Sequence, residues 1–178
     1  KETGVTTMFM EKKMDAGELG KLMKISTRLS YEVHEWYQAW NQGSDREVKK
    51  QAVLAYRGDA YRGLDASSLS EGSLEWAQGR LRILSGLYGI LRPLDIISPY
   101  RLEFATKLAI GQYKDLYSFW NDHLKRSFIR LVNTEGSHIL VNLASAEYYK
   151  ALKPHIEGLR VITPVFKEFR NGEYRFFS

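Results

Sequence analysis

The chain contains no cysteine, which excludes disulfides, a thiol nucleophile and iron–sulfur ligation by its own side chains, and fits a reducing compartment. Its four histidines, His34, His123, His138 and His155, lie far apart. None is paired at the three- or four-residue spacing that metal ligands use, so no metal site and no cofactor is expected. No apolar run approaches the roughly 18 residues needed to cross a bilayer, and Lys1-Glu2-Thr3-Gly4 lacks the pattern of a secretory signal. A cytoplasmic protein is expected. There is no Walker A lysine loop, no G-x-S-x-G and no G-x-G-x-x-G, so P-loop, serine-hydrolase and dinucleotide chemistry gain no support. Internal repeats and low-complexity segments are also absent.

What is present suits one globular domain. The 178 residues are 44% hydrophobic and 26% charged, ordinary values for a chain that buries a core. The net charge is +5, and its distribution carries more information than its size. Between Arg80 and Arg130 stand nine cations (Arg80, Arg82, Arg92, Arg101, Lys107, Lys114, Lys125, Arg126, Arg130) against Asp95, Glu103, Asp115 and Asp122. The remainder holds 17 of each sign, so this window contains the whole excess and points to an anionic partner.

Asp15 with Glu18 three residues on reads as a helix start, and Leu19, Leu22, Met23, Leu29, Val33, Trp36 and Trp40 predict a helix over 16–40, broken near Ser30. Asp45 is placed as the cap of a second helix over 46–56. Residues 56–65, rich in Gly, Asp, Arg and Tyr, read as a polar loop. Ser70 or Ser73 caps a helix running to Leu81. Leu116, Phe119, Trp120, Leu124, Phe128 and Leu131 define the buried face of a helix over 115–133, with Lys125, Arg126 and Arg130 elsewhere on it. Ile139 to Leu143 reads as a buried strand leading into a helix capped by Ser145, and Asn171-Gly172 as a hairpin turn. Helices mixed with strands and a late antiparallel hairpin give an α+β class.

Gly86 and Gly89, three apart in an apolar run, predict a tight hairpin. The residue before proline is pushed out of the helical region, so Arg92 stands at a bend. Glycines in such a hairpin allow backbone N–H groups to approach a phosphate, and flanking arginines add charge. On this reading Arg82, Gly86, Gly89, Arg92 and Arg101 form a nucleic-acid interface, joined by Arg126 and Arg130. A rival reading takes the chain as an enzyme on a small anionic substrate. Its pocket is built from the Gly58-Asp59 loop, Arg92, Asn142 and Ser145, with Asp59 or Glu103 as the acid/base and a helix N-terminus favouring the anion.

The order of the motifs resembles the YaaA family of peroxide-stress proteins. The resemblance rests on Arg57-Gly58-Asp59 with Tyr61, Gly63-Leu64-Asp65, Leu84 to Gly89, Leu91 to Asp95, Pro99 to Glu103, and Val141 to Ser145 with Glu147-Tyr148. It implies a mixed sheet with surrounding helices, the "cantaloupe" fold, carrying a helix-hairpin-helix element and a basic cleft for double-stranded DNA. It also implies a bacterial cytosolic role against hydrogen peroxide, associated with limiting free iron and DNA damage. The family's N-terminal strand with an Ile-Ser-Pro-Ala-Lys type motif, and its basic Lys-Lys-Ala-Arg-Gly type segment beyond Ser178, are missing. Residues 1–178 are therefore expected to be a single domain truncated at both ends, acting as a non-enzymatic DNA-binding protein.

Overall fold

Asp15 starts the first helix in the way its sequence predicts. Its carboxylate accepts from the Glu18 N–H at 2.8 Å, while the Glu18 carboxylate accepts from the Asp15 N–H at 3.0 Å, satisfying two amides that a first turn leaves open. Helix α1 (Ala16–Met23) ends at Lys24, whose φ of 53° is left-handed. Helix α2 (Thr27–Gln42) follows, so the break falls at residues 24–26 and not near Ser30. Ser30 is instead buried against α1, where a Cβ added to Gly20 would meet its side chain at 3.3 Å. Small residues let the two helices approach.

The structure is a computed structural model that describes residues 14–42, 48–136 and 138–176. Asp45 and the start of the predicted 46–56 helix lie outside the described residues. The rest of that span is a strand β1 (Lys50–Gln51) and one helical turn, α3 (Ala52–Ala55). The amides of Ala52 and Val53 are held by the carbonyls of Asp95 and Pro93, at 2.8 and 2.9 Å, and these tertiary bonds override the local helical pattern. The predicted polar loop contains helix α4 (Asp59–Leu64), closed by left-handed Asp65 and a 3-10 turn over Ala66–Ser68. Helix α5 (Glu71–Arg80) is capped by Ser70, whose hydroxyl accepts from the Ser73 N–H.

Strands β2 (Ile83–Ser85) and β3 (Gly89–Leu91) pair antiparallel, Ile83 opposite Leu91 and Ser85 opposite Gly89. Strand β4 (Ile96–Ile97) pairs with β1. Helix α6 (Leu116–Glu135) is the longest, capped by Asp115 and terminated by left-handed Gly136. Strand β5 (Ile139–Val141), helix α7 (Ala146–Leu152) with a following 3-10 turn, and strand β6 (Arg160–Ile162) come next. β5 and β6 pair in parallel. Strands β7 (Lys167–Arg170) and β8 (Glu173–Phe176) close the hairpin predicted at Asn171-Gly172, both of which have positive φ.

The α+β class holds. Its strands, however, form two-stranded pairs among the described residues, not one mixed sheet. The Gly86–Gly89 hairpin joins two strands, so the helix-hairpin-helix element implied by the resemblance is not seen there. The main core gathers Leu19, Met23, Val33, Leu87, Phe104, Leu116, Trp120 and Leu124 around one face of α6. A second cluster holds Val53, Ala66, Ile83, Leu91 and Ile97 beside the open end of the hairpin. The expectation of a fully buried 139–143 strand fails: Ile139 and Val141 are each 52% exposed. They lie on the uncovered face of β5, where only Leu140 packs inward against the third cluster.

Candidate nucleic-acid interface

The hairpin tip faces the protein. Gly86, Leu87 and Gly89 are buried, and the Gly86 carbonyl accepts a 2.7 Å bond from the Trp120 indole N–H. The amides of Leu87 and Tyr88 donate to Ser85 Oγ at 3.2 and 2.9 Å. A Cβ on Gly86 would meet the Leu102 carbonyl oxygen at 2.7 Å, and one on Gly89 the Trp120 ring at 2.7 Å. The two glycines therefore permit close packing, and the tip amides expected to meet a phosphate are already bonded within the fold. That part of the hairpin reading is corrected.

The arginines divide into three kinds. Arg82 turns its guanidinium onto the last carbonyls of α5, donating to Gln78, Leu81 and Gly79, which stabilises a helix C-terminus. Arg92 is exposed in the turn after β3, where its amide donates to the Asp95 carboxylate at 2.7 Å. Arg126 and Arg130 are exposed on α6 one turn apart, with Lys125 beside them. Opposite, Leu116, Trp120, Leu124 and Phe128 are buried, as their spacing requires. Asp122 lies one turn before Arg126, whose Nε donates to the Asp122 carbonyl at 3.3 Å. Three cations thus share this face with one carboxylate. Lys125 also acts on His155, which burial and that lysine together hold below its usual pKa.

Arg101 is a different case. Its Nη2 lies 2.6 Å from Glu103 Oε1, with the two side chains 39% and 46% exposed. The pair stands beside a group of tyrosines from distant segments. Tyr56 and Tyr61 stack with ring centres 5.0 Å apart. Tyr56 and Tyr100 share a 2.5 Å hydroxyl contact, and Tyr100 a 2.6 Å contact with Ser85 Oγ. Tyr148, at the start of α7, packs edge-on against Phe104 and lies within electrostatic reach of Glu103, Arg101 and Tyr61. Burial raises the hydroxyl pKa of Tyr56, Tyr100 and Tyr148, and Glu147 and Glu103 raise that of Tyr148 further. These tyrosines therefore stay neutral to higher pH than a free tyrosine. Sequence reading assigned them no role, although Tyr61, Tyr100 and Tyr148 stand inside the motifs that carried the resemblance.

The residues proposed for an enzyme pocket are less concentrated. Asp59 is exposed and paired with Arg62, one turn on in α4. Arg92 stands at the open end of the hairpin, beyond Leu91, whereas Ser85 and its tyrosine partner lie at the tip end. Three strand residues separate these ends by about 10 Å. Asn142 folds back locally, its Oδ1 accepting from the Ala144 N–H at 3.1 Å and its Nδ2 reaching Thr163 Oγ1 at 3.4 Å. Ser145 precedes α7 without a side-chain cap bond. Glu147 stands in the first turn, its carboxylate accepting from the Ala105 N–H at 2.9 Å. A carboxylate there opposes an anion. Among the described residues no three His, Asp or Glu side chains gather as a metal site needs, and no helix is long and apolar enough to cross a membrane.

A family model described as peroxide stress protein YaaA matches residues 2–178. UPF0246 proteins of Shewanella woodyi and Ralstonia pickettii are each 46% identical over 167 residues, covering 94% of this chain. A UPF0246 protein of Burkholderia pseudomallei is 44% identical over 169 residues, with the same coverage. The chain spans 65% of the length of these curated relatives.

Proposed function

Because the chain belongs to the YaaA family of peroxide stress proteins, we propose that it serves the bacterial response to hydrogen peroxide by binding double-stranded DNA. The contacts are electrostatic and made by Lys125, Arg126 and Arg130 on α6, with Arg92 as a further phosphate contact. The observation that carries this reading is the exposed basic face of α6. It lies in the stretch that contains the chain's whole cationic excess, and its charges are held at fixed spacing by a helix whose other face is core. Gly86, Gly89 and Arg82 act behind it, as the packing that sets α5, the hairpin and α6 in place.

Binding of this kind is largely independent of sequence and weakens steeply with salt. Each phosphate contact made on duplex DNA releases condensed counterion and contributes about 0.9 to the slope of log affinity against log salt. Fluorescence anisotropy with labelled duplex across a range of salt concentrations tests the reading. A slope of about −3 or steeper supports it, and an affinity that does not change with salt refutes it. The enzyme reading is weaker, since Arg92 stands at the far end of the hairpin from Ser85, Asn142 is bonded locally to Ala144 and Thr163, and Glu147 places negative charge at the anion corner.

A further inference from the structure

The Arg101–Glu103 pair has no evident structural purpose. An exposed ion pair contributes little to stability, yet half-buried tyrosines from three stretches of the chain, Tyr56 with Tyr61, Tyr100 beside the pair itself, and Tyr148, gather near this one. The pair also keeps unused capacity. A guanidinium carries five N–H donors, of which one contact to Glu103 uses a small part, and a carboxylate has two oxygens. Donors and acceptors therefore lie side by side on a half-exposed pair, next to Phe104 and the Tyr148 ring packed on it, and Tyr61 lies within electrostatic reach of Tyr148, both rings only partly buried. Tyr61 is steadied from one side by its stack on Tyr56, and Tyr148 by its edge contact with Phe104 at 5.4 Å.

We propose that Tyr61, Tyr148, Arg101 and Glu103 form a binding site for a single unstacked guanine in a DNA strand. The rings supply stacking faces for a base that has left its helix. Guanine offers an oxygen acceptor next to two N–H donors along one edge. The carboxylate accepts from those donors and the guanidinium donates to O6, with N7 as an additional acceptor on the adjoining edge. The inference rests on the DNA-binding reading for its source of guanine, but it uses different residues, so the two fail separately.

The test compares three labelled duplexes by anisotropy: fully paired, with one unpaired guanine, and with one unpaired abasic nucleotide. The protein that contains all four residues is expected to prefer the unpaired guanine over the abasic bulge by about tenfold, the effect of one two-bond edge contact. Glu103→Gln and Tyr148→Leu are expected to lose that preference, and Tyr148→Phe, which keeps the ring, to retain it. All three are expected to bind the paired duplex as the parent does, which also shows that they are folded. Equal binding of the guanine and abasic bulges by the parent overturns the proposal and leaves the duplex reading standing. A guanine preference without affinity for paired duplex does the reverse. Free 2′-deoxyguanosine monophosphate binding as tightly as the bulged strand overturns the strand as the source of the base.

Discussion

A methyl group added at Gly89 would lie 2.7 Å from the Trp120 ring, on a backbone with φ of +78°. Both strain at positive φ and overpacking against a buried ring oppose it, so Gly89→Ala is expected to destabilise the fold by about 2–4 kcal/mol, read as a lowered urea midpoint. The tyrosines give a second residue-scale prediction. Tyr100 is raised well above the usual tyrosine pKa by burial and then by Tyr56, and Tyr56 itself is raised by burial. In the unfolded chain these hydroxyls ionise near pH 10, while the fold keeps them protonated to higher pH. Their contribution is therefore complete below about pH 10 and is lost as pH rises toward the folded values. Urea titrations at pH 8.5 and 10.5 are expected to show a fall in stability that is smaller in Tyr100→Phe. Neither the glycine clash nor the tyrosine contacts were legible in the sequence. A Gly-x-x-Gly spacing announces a bend, but whether the bend faces solvent depends on Trp120, 31 residues away.

Helix α6 was the most legible element because every determinant of it is local. Its apolar positions recur at helical spacing, Asp115 caps it and Gly136 ends it. The Asp115 carboxylate accepts from the Ser118 N–H at 2.7 Å, and this bond leads the causes that hold its pKa below the usual carboxylate range. Asp115→Ala is expected to cost about 1 kcal/mol in urea unfolding, and Asp115→Asn much less. The capping contribution is present above the ordinary carboxylate range and is lost as pH falls through the lowered value. Other elements are fixed by partners that spacing does not reveal. The stretch before Tyr56 has a helical pattern, but Asp95 and Pro93 claim the amides of Ala52 and Val53. Helix α4, six residues with an internal glycine, is started by the bonds of Tyr61 and Arg62 to the Gly58 carbonyl and braced by the Tyr56 stack. Strand β5 was legible as a strand. Its burial was not, since that requires a covering layer that the local pattern cannot specify.

At the scale of the molecule, one long helix divides the labour. Its apolar side organises the main core, the buried hairpin tip and the tyrosine group around Arg101, and its basic side faces outward. Ile139, Val141 and Ile162 on β5 and β6, and Phe169 and Tyr174 on the last hairpin, are exposed apolar side chains. The candidate site was half legible. Charge counting marked the stretch in which the proposed interface lies, and helical periodicity placed Arg126 and Arg130 together. Arg82 and the two glycines were in that stretch for structural reasons that only the packing reveals. The measurement that tests this division most directly is duplex affinity against salt for the parent protein and for the combined Lys125→Ala, Arg126→Ala and Arg130→Ala variant, whose exposed positions leave the core intact. The expected result is a loss of affinity in low salt together with a slope shallower by about 2–3, one unit for each phosphate contact removed. A folded variant with the parent's affinity and slope would contradict the assignment of the DNA interface to α6.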